Sequence, residues 1–203
     1  MGVYAVKPRF RASLRGVEHF AVRGGVTADQ ITAVGCACAL AAAAAVLAAG
    51  FNPLWLIAVA SLVVIRLSCN ALDGMVATDT NSARPLGQVY NEFADRVGDA
   101  AILIAVTLRT DFVWLGLAAI VLMLLCSYLG TLAAAAGGAR QYIGVMGKAD
   151  RMILLALAAT VAMFLAQPEV FVAYLMVVAV GCLITIVQRA RVIRRELLGL
   201  TSR

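Results

Sequence analysis

The sequence predicts an all-α polytopic membrane protein, with six transmembrane helices preceded by an N-terminal amphipathic interfacial helix. Three observations carry that prediction. Hydrophobic residues make up 63% of the 203 and charged ones 14%, with a mean hydropathy of +0.94, which leaves too little polar surface for a soluble domain of this size. The apolar residues fall into six runs of about 20, the length that crosses a bilayer. Lys and Arg collect in alternate connections between those runs.

Taken in order, residues 7–23 place Phe10, Leu14, Val17 and Ala21 on one helical face and Arg11, Arg15 and Glu18 on the other. That is the pattern of a helix lying on anionic headgroups. Gly24 and Gly25 break it, and Thr27 with Gln30 forms the T-x-x-Q capping box that opens the first span. The spans are expected at 28–49, 54–78, 85–108, 112–137, 149–166 and 169–190. Turns fall at Gly50 to Pro53, Asn81 to Pro85, Thr110 and Asp111, Gly137 to Gly147, and Gln167 to Glu169, with Pro85 suited to the first turn of its helix. Two segments follow: 1–25 carries the interfacial helix, and 26–203 forms one six-helix membrane domain. The first 24 residues are too basic for the apolar core of a cleavable signal peptide.

Orientation follows from the cations. Lys7, Arg9, Arg11, Arg15, Arg23, Arg84, Arg140, Lys148, Arg151 and the cluster from Arg189 to Arg203 fall on one side, and Arg109 on the other. Both termini are therefore expected in the cytoplasm. The net charge of +6 reports topology and anionic lipid, since no base-stacking or groove-reading motif points to nucleic acid. Cys36, Cys38, Cys69, Cys126 and Cys182 sit in apolar runs without metal-ligand spacing and read as small buried hydrophobes. The single histidine, His19, lies away from the acidic cluster and offers no base there.

That cluster is the informative feature. Asp73, Asp79, Glu92, Asp95 and Asp99 are five of the eleven carboxylates, and three of them fall well inside spans. An ionised group at bilayer depth costs roughly 2.5–3.5 kcal/mol on insertion scales and is kept when it faces an interior and has a partner. Arg66, Asn70, Asp73 and Ala77 form one stripe of the second span, and Asn91, Asp95 and Asp99 one stripe of the third. A short turn joins the two spans, so the stripes are expected to face each other at one depth near the cytoplasmic side. Oxygen donors without His or Cys suit Mg²⁺, Mn²⁺ or Ca²⁺. Gly74 and Gly87, lacking a Cβ, would let a bulky anion approach the backbone.

In these residues the chain resembles the CDP-alcohol phosphatidyltransferases. Their signature, D-x2-D-G-x2-A-R-x8-G-x3-D-x3-D, is matched in every interval by Asn70, Asp73, Gly74, Ala77, Thr78, Gly87, Asn91 and Asp95, five of the eight in residue type. The resemblance covers nearly the whole chain and points to an Asn-variant subgroup among bacterial inner-membrane proteins. It implies transfer of a phosphatidyl group from CDP-diacylglycerol to an alcohol acceptor with release of CMP, in phospholipid biosynthesis at the cytoplasmic membrane, by a homodimer. It further implies Asp95 as the base, Asn70, Asp73, Asn91 and Asp95 around one or two Mg²⁺ or Mn²⁺ ions, and Gly74, Ala77, Thr78 and Gly87 lining the cytidine diphosphate pocket. The family's G-K pair is matched by Gly147 and Lys148, and Lys148, Arg140 and Arg151 could hold a phosphate.

Departures bear on the chemistry. Asn70 and Asn91 remove two of the four signature charges, and Asp99, one turn beyond Asp95, could restore one as a further metal ligand. Thr78 removes an arginine, for which Arg84 or Arg66 might substitute. Arg66 and Arg96 could instead simply pair with Asp73, Asp95 or Asp99. The Asn substitutions also allow a catalytically silent CDP-lipid-binding member acting as a partner or regulator.

Overall fold

The computed structural model describes residues 7–165 and 169–199, with the backbone alone for residues 7–9. Seven helices and no strand are found among the described residues: α1 (Lys7–Arg23), α2 (Ala28–Ala48), α3 (Trp55–Asp79), α4 (Pro85–Leu108), α5 (Val113–Ala135), α6 (Lys148–Leu165) and α7 (Glu169–Leu197). Helices α2, α3, α5 and α7 are long and apolar enough to cross a membrane, and the chain is a polytopic membrane protein. Helices α4 and α6 carry the interior charges in their N-terminal halves.

The local signals act as the sequence predicts. The Thr27 hydroxyl accepts from the Gln30 amide at 3.2 Å while the Gln30 side chain accepts from the Thr27 amide at 2.9 Å, closing the capping box of α2. Pro85 opens α4. Asp150 accepts from the Gly147 amide at 2.9 Å, capping α6 one turn ahead of Arg151. Helix α7 continues to Leu197, beyond the expected 190, because 191–197 is rich in Arg, Leu and Glu and meets no breaker before Gly199. Of the expected fifth turn, Gln167 and Pro168 lie outside the described residues, as does Arg203.

Helix α2 packs against both α3 and α4, α3 against α6, α5 against α7, and α1 against α3. Its alanines allow this: Ala39, Ala42, Ala43 and Ala45 are buried, and small residues let helix backbones close up in lipid, where apolar surface alone drives no association. Gly35 passes Cys69, to which an added Cβ would come within 3.1 Å. The sequence led us to expect α3 and α4 as directly packed neighbours. Instead α2 fills the space on one side of them, and α3 and α4 meet through long polar side chains across a gap. That gap is the polar interior.

Helix α1 also differs in part from expectation. Leu14, Ala21 and Val22 pack onto Ile31, Cys69, Leu72 and Val76 of α2 and α3, so part of its apolar face closes on protein. Val17 and Phe20 stay exposed.

Candidate active site between α3, α4 and α6

Asp73 is the buried centre of the α3 stripe, at 4% exposure. Its Oδ2 accepts from Asn91 Nδ2 of α4 at 2.7 Å and from the Thr32 hydroxyl of α2 at 3.1 Å, and its Oδ1 from the Gly74 amide at 2.6 Å. The Asn91 contact brings the two stripes together, as their common depth requires. Ion-paired to Lys148 at the start of α6, Asp95 lies one turn further along α4. Its backbone carbonyl accepts from Arg66 at 3.2 Å.

Asp99 is engaged differently. Its Oδ1 lies 2.7 Å from Arg66 Nη2 and its Oδ2 2.5 Å from Arg151 Nη2, all three side chains nearly fully buried, with Arg96 at 3.7 Å. Both oxygens are thus taken by guanidinium groups. Gly98 makes the crossing possible: a Cβ there would come within 2.7 Å of Ala39 and 2.9 Å of Arg66. Glu92 binds Arg96 at 2.7 Å and pairs with Arg140, whose guanidinium lies 4.9 Å over the Tyr142 ring. Arg84 pairs with Asp29 across the start of α4 and α2. Arg66 and Arg84 are therefore both committed to carboxylates, and neither stands in place of the arginine missing at Thr78.

Asp73, Glu92, Asp95 and Asp99 are four carboxylates facing five cations, Arg66, Arg96, Arg140, Lys148 and Arg151. An interior with surplus positive charge suits a polyanionic ligand. Two buried donors on one stripe, Arg66 Nη1 and Asn70 Nδ2, have no hydrogen-bond partner. Buried polar groups are seldom left so, and a phosphate oxygen would satisfy both.

Among the described residues no group of three or more His, Cys, Asp or Glu could hold a metal. A cation would draw on Asp73 and Asp95 with the amide oxygens of Asn70 and Asn91. These residues fit a hard divalent ion: the donors are oxygens, and a half-turn of the orphaned Asn70 amide presents its Oδ1.

The pocket residues fall around this centre. Gly74 is exposed, and a Cβ on it would meet nothing within 4 Å. The Thr78 hydroxyl bonds back to the Gly74 carbonyl at 2.7 Å. Ala77 is half-buried, and Gly87 lies against Arg84 and Asp29. The loop bearing Arg140 and Lys148 is pinned from α7. Arg189 donates to the carbonyls of Ile143 at 2.9 Å and Cys126 at 2.7 Å, and Thr185 accepts from the Met146 amide at 2.9 Å.

A family model for CDP-alcohol phosphatidyltransferases matches residues 25–188. The chain belongs to this family. It is 31% identical over 161 residues to the Escherichia coli inner membrane protein YnbA, covering 77% of this chain and 78% of that protein. It is 28% identical over 189 residues to the phosphatidylinositol phosphate synthase of Mycolicibacterium smegmatis, covering 89% and 83%. The fold is that of the Mycobacterium tuberculosis phosphatidylinositol phosphate synthase. The crystal structure of that protein with manganese and citrate superposes with a TM-score of 0.74 at 23% identity, covering 93% of this chain and 92% of that one. The structure with CDP-DAG bound gives 0.72 at 24%, covering 88% and 92%.

Membership of this enzyme class accounts for the Asp73 and Asp95 stripes. Sequence reasoning missed the Thr32 contact to Asp73, the Arg66–Asp99–Arg151 bridge and the Arg189 clamp. Arg66 sits one turn before Asn70 on the polar stripe and signalled the bridge. Thr32 and Arg189 carried no such signal, because each finds its partner across the fold.

Proposed function

We propose that the protein transfers the phosphatidyl group of CDP-diacylglycerol to a hydroxyl-bearing acceptor and releases CMP. The observation that carries this is the meeting of Asp73 with Asn91 across α3 and α4, one turn from Asp95, in an interior with more cations than carboxylates. Asp95 takes the acceptor's hydroxyl proton as the new oxygen–phosphorus bond forms, and the bond from that phosphorus to the CMP oxygen breaks. Lys148, ion-paired to Asp95, orients it and sets a positive charge beside the reacting phosphate. Arg66 Nη1 and Asn70 Nδ2 donate to diphosphate oxygens. Asn70, Asp73, Asn91 and Asp95 would hold Mg²⁺ or Mn²⁺, which supplies charge neutralisation at the diphosphate and the leaving CMP. Asp99, with both oxygens on arginine, anchors Arg66 and Arg151 instead of binding metal. Arg140, in the loop beside Lys148, is placed to meet a phosphate on the acceptor, whereas Arg151 serves the site through Asp99. Gly74, Ala77, Thr78 and Gly87 line the nucleotide's approach.

The same reading makes α2 to α7 six spans of one domain, 26–203, with α1 in segment 1–25 at the cytoplasmic interface and both termini in the cytoplasm. The density of Lys and Arg at that end supports it. The test is mass spectrometry of lipids formed when purified protein meets CDP-diacylglycerol, Mn²⁺ and pooled alcohols. A new phospholipid with stoichiometric CMP is expected. CDP binding without CMP release from any acceptor would instead identify a silent CDP-lipid-binding protein. Light scattering of the same preparation reads out the homodimer as a doubled protein mass.

A further inference from the structure

Glu18 is only 7% exposed, although it belongs to the polar face of a short basic helix. No hydrogen bond or ion pair reaches its carboxylate among the described residues. It lines a cleft of about 580 Å³ between α1 and the end of α3, with Arg11, Arg15 and His19 on one wall and Met75, Thr78 and Asp79 on the other. Burying an unpaired carboxylate is expensive, and the arrangement is explained if a ligand brings the missing donor. The volume suits a small-molecule site.

The cleft opens where a nucleotide would lie. Thr78 follows Gly74 by one turn, and the Gly74 backbone is unobstructed at the level of Asp73. From Gly74 to Asp79 is about 7.5 Å of helix, comparable with a ribose and its phosphates. Thr78 gives this wall of α3 no cation, whereas Arg11 and Arg15, four residues apart, bring two guanidinium groups from α1. The His19 ring is already bonded to the Arg15 carbonyl at 2.8 Å, which leaves Glu18 and the two arginines as the groups that select a ligand.

A carboxylate accepts hydrogen bonds and cannot donate them. Cytosine presents an exocyclic amino donor where uracil presents a carbonyl acceptor. We propose that the α1–α3 cleft holds the base end of the cytidine nucleotide, with Glu18 accepting from the cytosine amino group and Arg11 and Arg15 facing the phosphates. This inference rests on the CDP-lipid reading above, and it makes α1 a specificity element as well as a surface anchor.

The test is equilibrium dialysis of CDP and UDP against the full-length protein in nanodiscs with Mn²⁺. Wild type is expected to prefer CDP by about 100-fold or more, because a buried polar group left unpaired rejects the wrong ligand strongly. Glu18→Gln, which can donate to the uracil carbonyl, is expected to narrow that ratio to within about fivefold, chiefly by gaining UDP affinity. Arg11→Gln with Arg15→Gln should weaken both nucleotides alike and leave the ratio unchanged. An unchanged CDP:UDP ratio in Glu18→Gln overturns the proposal, as does wild-type affinity in the double arginine variant. A check independent of any variant is CDP dimethylated at the exocyclic nitrogen, which wild type should reject; equal binding overturns the proposal. If wild type binds no CDP at all, the CDP-lipid reading itself falls.

Discussion

Replacing Asp99 by Asn removes the anion that two buried arginines share. Arg66 and Arg151 lie at 2.7 and 2.5 Å from its two oxygens, with side-chain exposures of 2% and 6% against 6% for Asp99. Neither guanidinium can reach water in place. Breaking a buried pair from one side costs about 3–5 kcal/mol because the remaining charge is uncompensated. In a domain of this size each kcal/mol moves Tm by about 2–4 °C, so a fall of about 6–20 °C is expected. The buried free thiols Cys69, Cys126 and Cys182 give the assay: a thiol-reactive dye reports their exposure on heating in detergent. Substituting Asp99→Leu with Arg66→Met and Arg151→Leu should recover most of the loss, since apolar residues replace buried ion pairs at little cost. If Asp99 were instead a metal ligand, Asp99→Asn would keep its Tm and lose Mn²⁺ affinity; that result would refute the anchoring argument.

Three further outcomes are expected. Gly98→Val should lower stability by about 1–3 kcal/mol, read as Tm, because its Cβ would lie 2.7 Å from that of Ala39 and 2.9 Å from Arg66 Nη2. Arg189→Met removes the donor held by the Ile143 and Cys126 carbonyls, each bond to a charged group being worth about 1.5–3 kcal/mol, and trypsin should then cut faster after Arg140. Asn70→Asp with Asn91→Asp adds two charges to the donor set and should tighten Mn²⁺ binding by about tenfold or more in an electron paramagnetic resonance titration, as ligand charge tunes such sites; unchanged affinity would place both amides away from the ion.

The helices were legible because their signals are local. The Thr27–Gln30 box, Pro85 and the double glycine after Arg23 each act within a turn, and all three mark helix ends in the structure. The meeting of Asp73 with Asn91 was legible from periodicity and the short turn between their helices. What α2 does was not: whether a poly-alanine helix inserts beside two others depends on Gly35 and Gly98, whose neighbours lie on other helices. Asp99 illustrates the same limit. Its place on the polar stripe was plain, but its choice of partner depends on Arg151, 52 residues later. Glu18 reads as an outward charge on a helical wheel and is buried because α1 turns part of that face to α3.

The central claim is that the α3 and α4 oxygens act together on a nucleotide-linked phosphate. Release of radiolabelled CMP from CDP-diacylglycerol, with Mn²⁺ and an acceptor panel, tests it most directly when wild type is compared with Asp73→Ala and Asp95→Ala. The account predicts acceptor-dependent release by wild type and a fall of about 100-fold or more in each variant, since general-base catalysis alone contributes about 10²–10⁴-fold. Release at the wild-type rate by either variant, in protein of unchanged Tm, would contradict it.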